Sequence, residues 1–336
     1  MPIPSRNPDE PAPARPLSRF VGLGLGLALL VGAALRLVAA VRNSPWLDEF
    51  HTLFHARAPD VASLVERLAG DNHPPLSFVL VHLARAGLGE DFLALRAPSL
   101  CAGLAAVWLV ARLARLLGSP SAGTAAALLA AVATQPVLAS AEARMYALLA
   151  LALVGVAESL ACAERDGRLP WRTALWLALA LHTHYYAAHH LALGLAAALV
   201  WPNARRALVR FLATRRGAAV LGLALALAVP WYVGVFPRQL AHGLWSGGGA
   251  AGLRDLVESY PSLVVRRVSL LPGPLAWTAV ATALALFPLA LVGVRRVACC
   301  APLTAAVLAA QVFVLPLWAA LASHVVARSG FDQKYL

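Results

Sequence analysis

Residues 20–49 read FVGLGLGLALLVGAALRLVAAVRNSPWLDE, an apolar run that ends in Trp46-Leu47-Asp48-Glu49. The hydrocarbon core of a bilayer is about 30 Å thick and needs about 20 apolar residues to cross it, so residues 20–41 predict a membrane span. Two adjacent carboxylates then stand where the chain leaves the membrane. Further along, Asp71-Asn72-His73-Pro74-Pro75 and Glu142-Ala143-Arg144 punctuate other apolar runs. Polar loops between spans face water for ordinary reasons, but three that each carry acids and bases point to one shared site.

The rest of the chain agrees with a membrane reading. Of its 336 residues 60% are hydrophobic and 13% charged, and the mean hydropathy is +0.71. That is too apolar for an ordinary soluble domain. The runs are continuous and do not alternate, which argues for helices and against a transmembrane barrel. The predicted fold class is an all-α polytopic transmembrane helical bundle with interfacial helices in its first external loop.

The net charge of +12 could suggest nucleic acid, but its placement excludes that. Arg112 and Arg115, Arg165 and Arg168, the arginines of 205–216, and Arg295-Arg296 sit in short clusters between apolar runs. This is the pattern of the positive-inside rule, with membrane lipids as the partner of the charge. It predicts an integral membrane protein with a cytoplasmic N-terminus. The four cysteines, Cys101, Cys162, Cys299 and Cys300, have no metal-ligand spacing.

Residues 1–19 read as a disordered, Pro-rich cytoplasmic tail, and residues 20–41 as a retained first helix rather than a cleaved signal. In the external loop Pro59-Asp60 opens a stretch, 60–69, with the spacing of an interfacial amphipathic helix. The next apolar run, 76–86, has only 11 residues. At 1.5 Å per residue it covers roughly half of the hydrocarbon core, so a partial or re-entrant element is expected. Spans at 97–117, 121–140, 145–163, 171–181, 191–201, 218–236, 274–294 and 302–323 follow. The membrane domain is thus 20–323, with about nine full crossings and a short tail at 324–336. Residues 253–268 read as a second surface helix within the long loop 237–272. This parity puts Glu142 and Arg144 on the same face as Asp48 and Glu49.

The residue types on that face suit group transfer to a hydroxyl. Asp48 is the preferred general base, while Glu49 is suited to a metal or a sugar hydroxyl, or simply to starting a helix. His73 is held extended by Pro74 and could meet a phosphate or a metal. Arg144 offers a fork for two phosphate oxygens. Glu142 favours the adjacent helix start in any case, and Tyr146 suits an interfacial aromatic belt as well as a site. His182, His184, His189 and His190 form the densest histidine group, without the His-Glu-x-x-His spacing of a metallohydrolase. Tyr185-Tyr186 beside them supplies stacking surface for a sugar or a lipid head group. Such a boundary cleft fits a lipid-phosphate-linked substrate, although transporters also hold charges at membrane boundaries.

Five pieces occur in an order that resembles the GT-C superfamily of membrane glycosyltransferases using polyprenyl- or dolichyl-phosphate sugars. They are Leu47-Asp48-Glu49, His73-Pro74-Pro75-Leu76, Arg96-Ala97-Pro98-Ser99, Glu142-Ala143-Arg144-Met145-Tyr146 and His182-Thr183-His184-Tyr185. The chain is most similar to the bacterial branch related to protein mannosyltransferases and lipid A aminoarabinose transferases, over about residues 15–215. The resemblance implies an inverting transfer from a polyprenyl-phosphate-linked sugar donor to a protein, lipid or polysaccharide acceptor on the non-cytoplasmic face. It assigns Asp48 to deprotonating the acceptor and Glu142 to a second acidic position. Arg144 and His184 or Tyr185 would lie near the donor phosphate, with His73 and Tyr146 close by. Some relatives use a divalent cation, for which Asp48, Glu49 and Glu142 are the expected hosts. Relatives commonly continue through further helices, so a shortened member or a fragment is also an expectation, with Lys334-Tyr335 as the remnant of a later Arg-Tyr pair. A lipid-linked sugar transporter or flippase and an inactive truncated scaffold are the alternatives to an enzyme.

Overall fold

The computed structural model describes residues 16–241 and 273–314. Among these residues every regular element is helical. Among the long helices are α1 (Pro16–Arg42), α5 (Phe92–Leu117), α8 (Tyr146–Asp166) and α12 (Arg215–Gly234). Between them lie α2 (Leu47–Ala56), α3 (Val61–Leu68), α4 (Leu76–Leu88), α6 (Pro120–Val132), α7 (Thr134–Ser140), α9 (Arg172–Thr183), α10 (Tyr186–Val200) and α11 (Pro202–Leu212). Helices α13 (Phe236–Ala241), α14 (Gly273–Cys300) and α15 (Pro302–Ala309) come last among the described residues, and a π-helical turn Ala310–Val314 follows. Among the described residues, four helices are long and apolar enough to cross a membrane, or five if the bent pair α6–α7 is one span, consistent with a polytopic membrane bundle. Their outward faces carry Leu23, Leu30, Leu225 and Val233, all exposed, which suits a lipid surround.

Local chemistry sets the helix ends. The Asp60 carboxylate accepts from Ser63 N at 2.7 Å and caps α3, whose Leu64 and Leu68 are buried. The Asp91 carboxylate caps α5 through Leu93 N and Ala94 N, and Ser119 caps α6 with Pro120 in its first turn. Gly167, at φ 70°, ends α8 in the left-handed conformation that glycine adopts without penalty. Helix α1 begins at Pro16, so it takes in residues 16–19 as well as the expected span. The C-terminal tail 324–336, the Lys334-Tyr335 pair and the expected helix at 253–268 lie outside the described residues.

The α6–α7 pair bends by 62°. Pro136 has no N–H to return to the preceding turn, and the bend releases the carbonyls at the end of α6. Arg36, fully buried in α1, takes them up. It donates to Ala131 O at 3.1 Å, Ala130 O at 3.3 Å and Ser140 Oγ at 3.2 Å, and to Gly32 O in its own helix. A guanidinium with five fixed donors can satisfy several scattered acceptors, where a lysine could not. The packing leaves no room for a side chain at Gly103, where a Cβ would lie 2.0 Å from Ser140 Oγ. The break is therefore built in, and it delivers residues 141–145 back toward α2.

Helix α4 has 13 residues, about two thirds of a hydrocarbon core in length. It packs against α2 from end to end. Phe78 joins the Leu64 and Leu68 cluster near its start, His82 and Arg85 meet Ala56 O, and Arg85 and Arg57 share Glu90 past its end. At the opposite end of the bundle Glu158 of α8 is buried between Arg112 and Arg172, at 2.7 and 3.1 Å. Nearby, Glu164 accepts from Leu303 N and Thr304 N and so caps α15.

Candidate functional site

The adjacent carboxylates at the start of α2 have opposite fates. Glu49 is fully buried and makes a two-pronged pair with Arg96, Nε to Oε1 at 2.8 Å and the terminal nitrogen to Oε2 at 2.7 Å. Its Oε1 also accepts from Ala143 N at 2.8 Å. Arg96 in turn donates to Ala40 O and to Asn43 O. One buried ion pair thus joins the end of α1, the start of α2, α5 and the 141–145 loop, with both carboxylate oxygens and all three guanidinium nitrogens engaged.

Asp48 faces the other way, with its side chain 35% exposed. Its carboxylate lies 3.5 Å from a terminal nitrogen of Arg144, although 96 residues separate them in the chain. Arg144 is buried, donates to Thr52 Oγ1 at 3.3 Å, and has its own carbonyl held by Ser99 Oγ at 2.8 Å. Glu142 is buried in the same loop, with its carbonyl accepting from Arg144 N at 2.8 Å. The first and second polar loops therefore meet.

From Arg144 a row of rings leads inward. The Tyr146 ring centre is 6.0 Å from the Arg144 guanidinium carbon and 6.4 Å from the His184 ring. His184 stacks on Tyr186 at 4.9 Å, accepts from Tyr186 N through Nδ1, and meets the His73 ring edge-on at 5.4 Å. Burial pushes the His73 imidazole below its usual range and that of His184 well below, so both are neutral at pH 7.

Tyr185, also expected near the donor, has its hydroxyl engaged within the protein. Its hydroxyl donates to Gln239 Oε1 and accepts from Trp231 Nε1 at 3.0 Å, while Gln239 Nε2 donates to Leu68 O and His73 O. Burial pushes its pKa up to about 12, which keeps the hydroxyl a donor. Tyr185 ties α12 and α13 to the external loop and has no free hydroxyl for a phosphate.

Of the expected metal hosts, Glu49 has both carboxylate oxygens engaged, by Arg96 and by Ala143 N. The group among the described residues able to coordinate a divalent ion is His51, His55 and Asp71, with one ligand atom from each within 4.8 Å of the others. Asp71 is buried. Burial raises its pKa, but His73 and the Asn72 amide outweigh that and leave it lowered. His55 is pushed down to about 4 by burial, which outweighs the attraction of Asp71, so its imidazole is neutral at neutral pH. His51 and His55 are spaced i,i+4 on a short helix, a signal present in the sequence; Arg96 and Ser99 stand in one of the motif pieces without showing what they would bind, and Arg36 gave no signal beyond its charge.

Two cavities continue the row of rings. One of about 320 Å³ is lined by Arg36, Gln135, Ser140, Tyr146, Tyr186 and His190. A second, of about 590 Å³, is walled by leucine, alanine and valine of α8 to α12 and α15. They share Ala150, Leu153, Val154 and His190 as lining.

The dolichyl-phosphate-mannose-protein mannosyltransferase family matches residues 72–233, a little under half of the chain. The matched stretch holds Glu142, Arg144, Tyr146 and His184 and begins after Asp48 and α2. The match supports GT-C membership in general and a glycosyltransferase-like membrane protein. No curated protein matches the chain.

Proposed function

We propose that the protein is a membrane glycosyltransferase that moves a sugar from a polyprenyl-phosphate donor to a hydroxyl of a protein, lipid or polysaccharide acceptor. The observation that carries this reading is the Asp48–Arg144 juxtaposition: an accessible carboxylate and a buried guanidinium 3.5 Å apart, brought together from two loops. In the reaction the acceptor oxygen attacks the anomeric carbon and Asp48 takes its proton. The bond from that carbon to the phosphate oxygen breaks with its electron pair, and polyprenyl phosphate leaves. Arg144 offsets the charge that grows on the phosphate. Direct displacement inverts the anomeric centre.

The remaining residues bind and orient. Tyr146 and Tyr186 present ring faces to the sugar or the isoprene unit nearest the phosphate. The apolar cavity beyond them suits the lipid tail, being within the roughly 300–1,000 Å³ of small-molecule sites and almost without polar lining. Glu49 and Arg96 fix the start of α2 so that Asp48 stays at the mouth.

The test is transfer by the full chain in proteoliposomes, using radiolabelled polyprenyl-phosphate sugars and membrane extract as acceptor. The reading expects label in the acceptor and, for D48N, a rate lower by about 10²-fold or more. Label that crosses the bilayer still attached to its lipid carrier, at a rate D48N leaves unchanged, would instead establish a transporter.

A further inference from the structure

We propose that His51, His55 and Asp71 form a binding site for a transition-metal ion of the zinc class, which staples α2 to the turn at residues 69–75. The site is separate from Asp48 and Arg144 and does not rest on the glycosyltransferase reading.

The spacing between the groups is the first argument. His55 Nε2 lies 3.3 Å from His51 Nε2 and 3.6 Å from Asp71 Oδ2. A histidine–aspartate hydrogen bond would close to about 2.9 Å, so the gap to Asp71 is too wide for one. Ligands of a tetrahedral ion with bonds of about 2.0–2.1 Å stand about 3.3 Å apart along each edge. One edge of the trio, between the two histidines, has that separation, the His55–Asp71 edge is slightly wider, and the third is within 4.8 Å.

The second argument is an unanswered acceptor. Asp71 is 5% exposed, and its Oδ2, the oxygen turned toward the two histidines, has no hydrogen-bond partner. Leaving a buried carboxylate oxygen unpaired is costly, and an ion between it and the imidazoles removes that cost. The other oxygen is already engaged. Oδ1 accepts from Asn72 N at 2.6 Å and faces His73 Nδ1 at 3.5 Å. These contacts orient Oδ2 toward the trio, as the outer partners of metal ligands do. Phe78 packs edge-on against the His51 and His55 rings, at 6.4 and 5.2 Å, and closes one side.

The donor set selects the ion. Two imidazoles and one carboxylate suit zinc, cobalt or a similar ion, whereas magnesium and calcium prefer oxygen shells. His51 is exposed, so the fourth position opens to solvent. The two histidines occupy one row of α2, and Asp48 with Thr52 occupies the next. An ion in this place would therefore hold the helix that carries Asp48 without touching Asp48 itself.

The full chain, purified in detergent without a polyhistidine tag and stripped with a chelator, is titrated with Zn²⁺ and separately with Co²⁺. The expected result is about one ion bound per chain, with the visible absorption of low-coordinate Co²⁺ and no displacement by excess Mg²⁺. H51A changes an exposed residue and should fold normally while weakening binding by about tenfold or more. D71N should do the same, and Zn²⁺ should raise the thermal midpoint of the wild type but not of H51A. No stoichiometric binding by the wild type, or Co²⁺ absorption unchanged in a folded H51A protein, would overturn the site. Loss of glycosyl transfer alone would leave these readouts untouched.

Discussion

At the Asp48 end of the bundle two carboxylate–arginine pairs lie side by side, whereas at the opposite end one carboxylate, Glu158, serves two arginines. Glu158 is buried, and Arg112 and Arg172 are about two-fifths exposed, so water shares their charge. At the Asp48 end, Glu49 and Arg96 are both sealed and fully bonded, while Asp48 is open to solvent and only 3.5 Å from Arg144. A closed pair fixes geometry and, being sealed from solvent, offers no edge to a reactant. An open pair keeps one carboxylate edge available. The molecule thus places a buried strut and an open carboxylate, the one proposed to act on the acceptor, on consecutive residues.

Breaking the strut should have the largest effect. E49Q leaves the Arg96 guanidinium buried without its countercharge and should destabilise the protein by about 3–5 kcal/mol, read as a lower thermal midpoint in detergent. E158Q makes the same chemical change where the arginines are partly hydrated. It should cost less, about 1–3 kcal/mol, and leave transfer per folded molecule unchanged. Equal losses from E49Q and E158Q would erase the distinction between the two ends. R144K keeps the charge but loses the planar fork. It should lower kcat/KM for donor by about tenfold, equivalent to about 1.4 kcal/mol, with little change in thermal midpoint.

What was legible in the sequence follows physical range. Apolar run length announced the long helices, and Pro59-Asp60 announced α3 because capping is a local interaction. The shared face of residues 48 and 144 followed from counting spans between basic loops. The partner of Glu49 did not, since a pair spanning 47 residues leaves no period in the chain. Nor did the role of Arg36. A single arginine inside an apolar helix looks like a lone charge until the broken α6–α7 segment is folded against it. The His51–His55 spacing was visible, but Asp71, 16 residues beyond His55, joins them only through the turn that precedes α4.

The most direct test compares D48N with E49Q in one preparation, measuring both thermal midpoint and transfer rate per folded molecule. D48N should keep the wild-type midpoint within a few degrees and lose transfer by about 10²-fold or more, while E49Q loses its fold first. A folded D48N protein that transfers sugar at the wild-type rate would contradict the account.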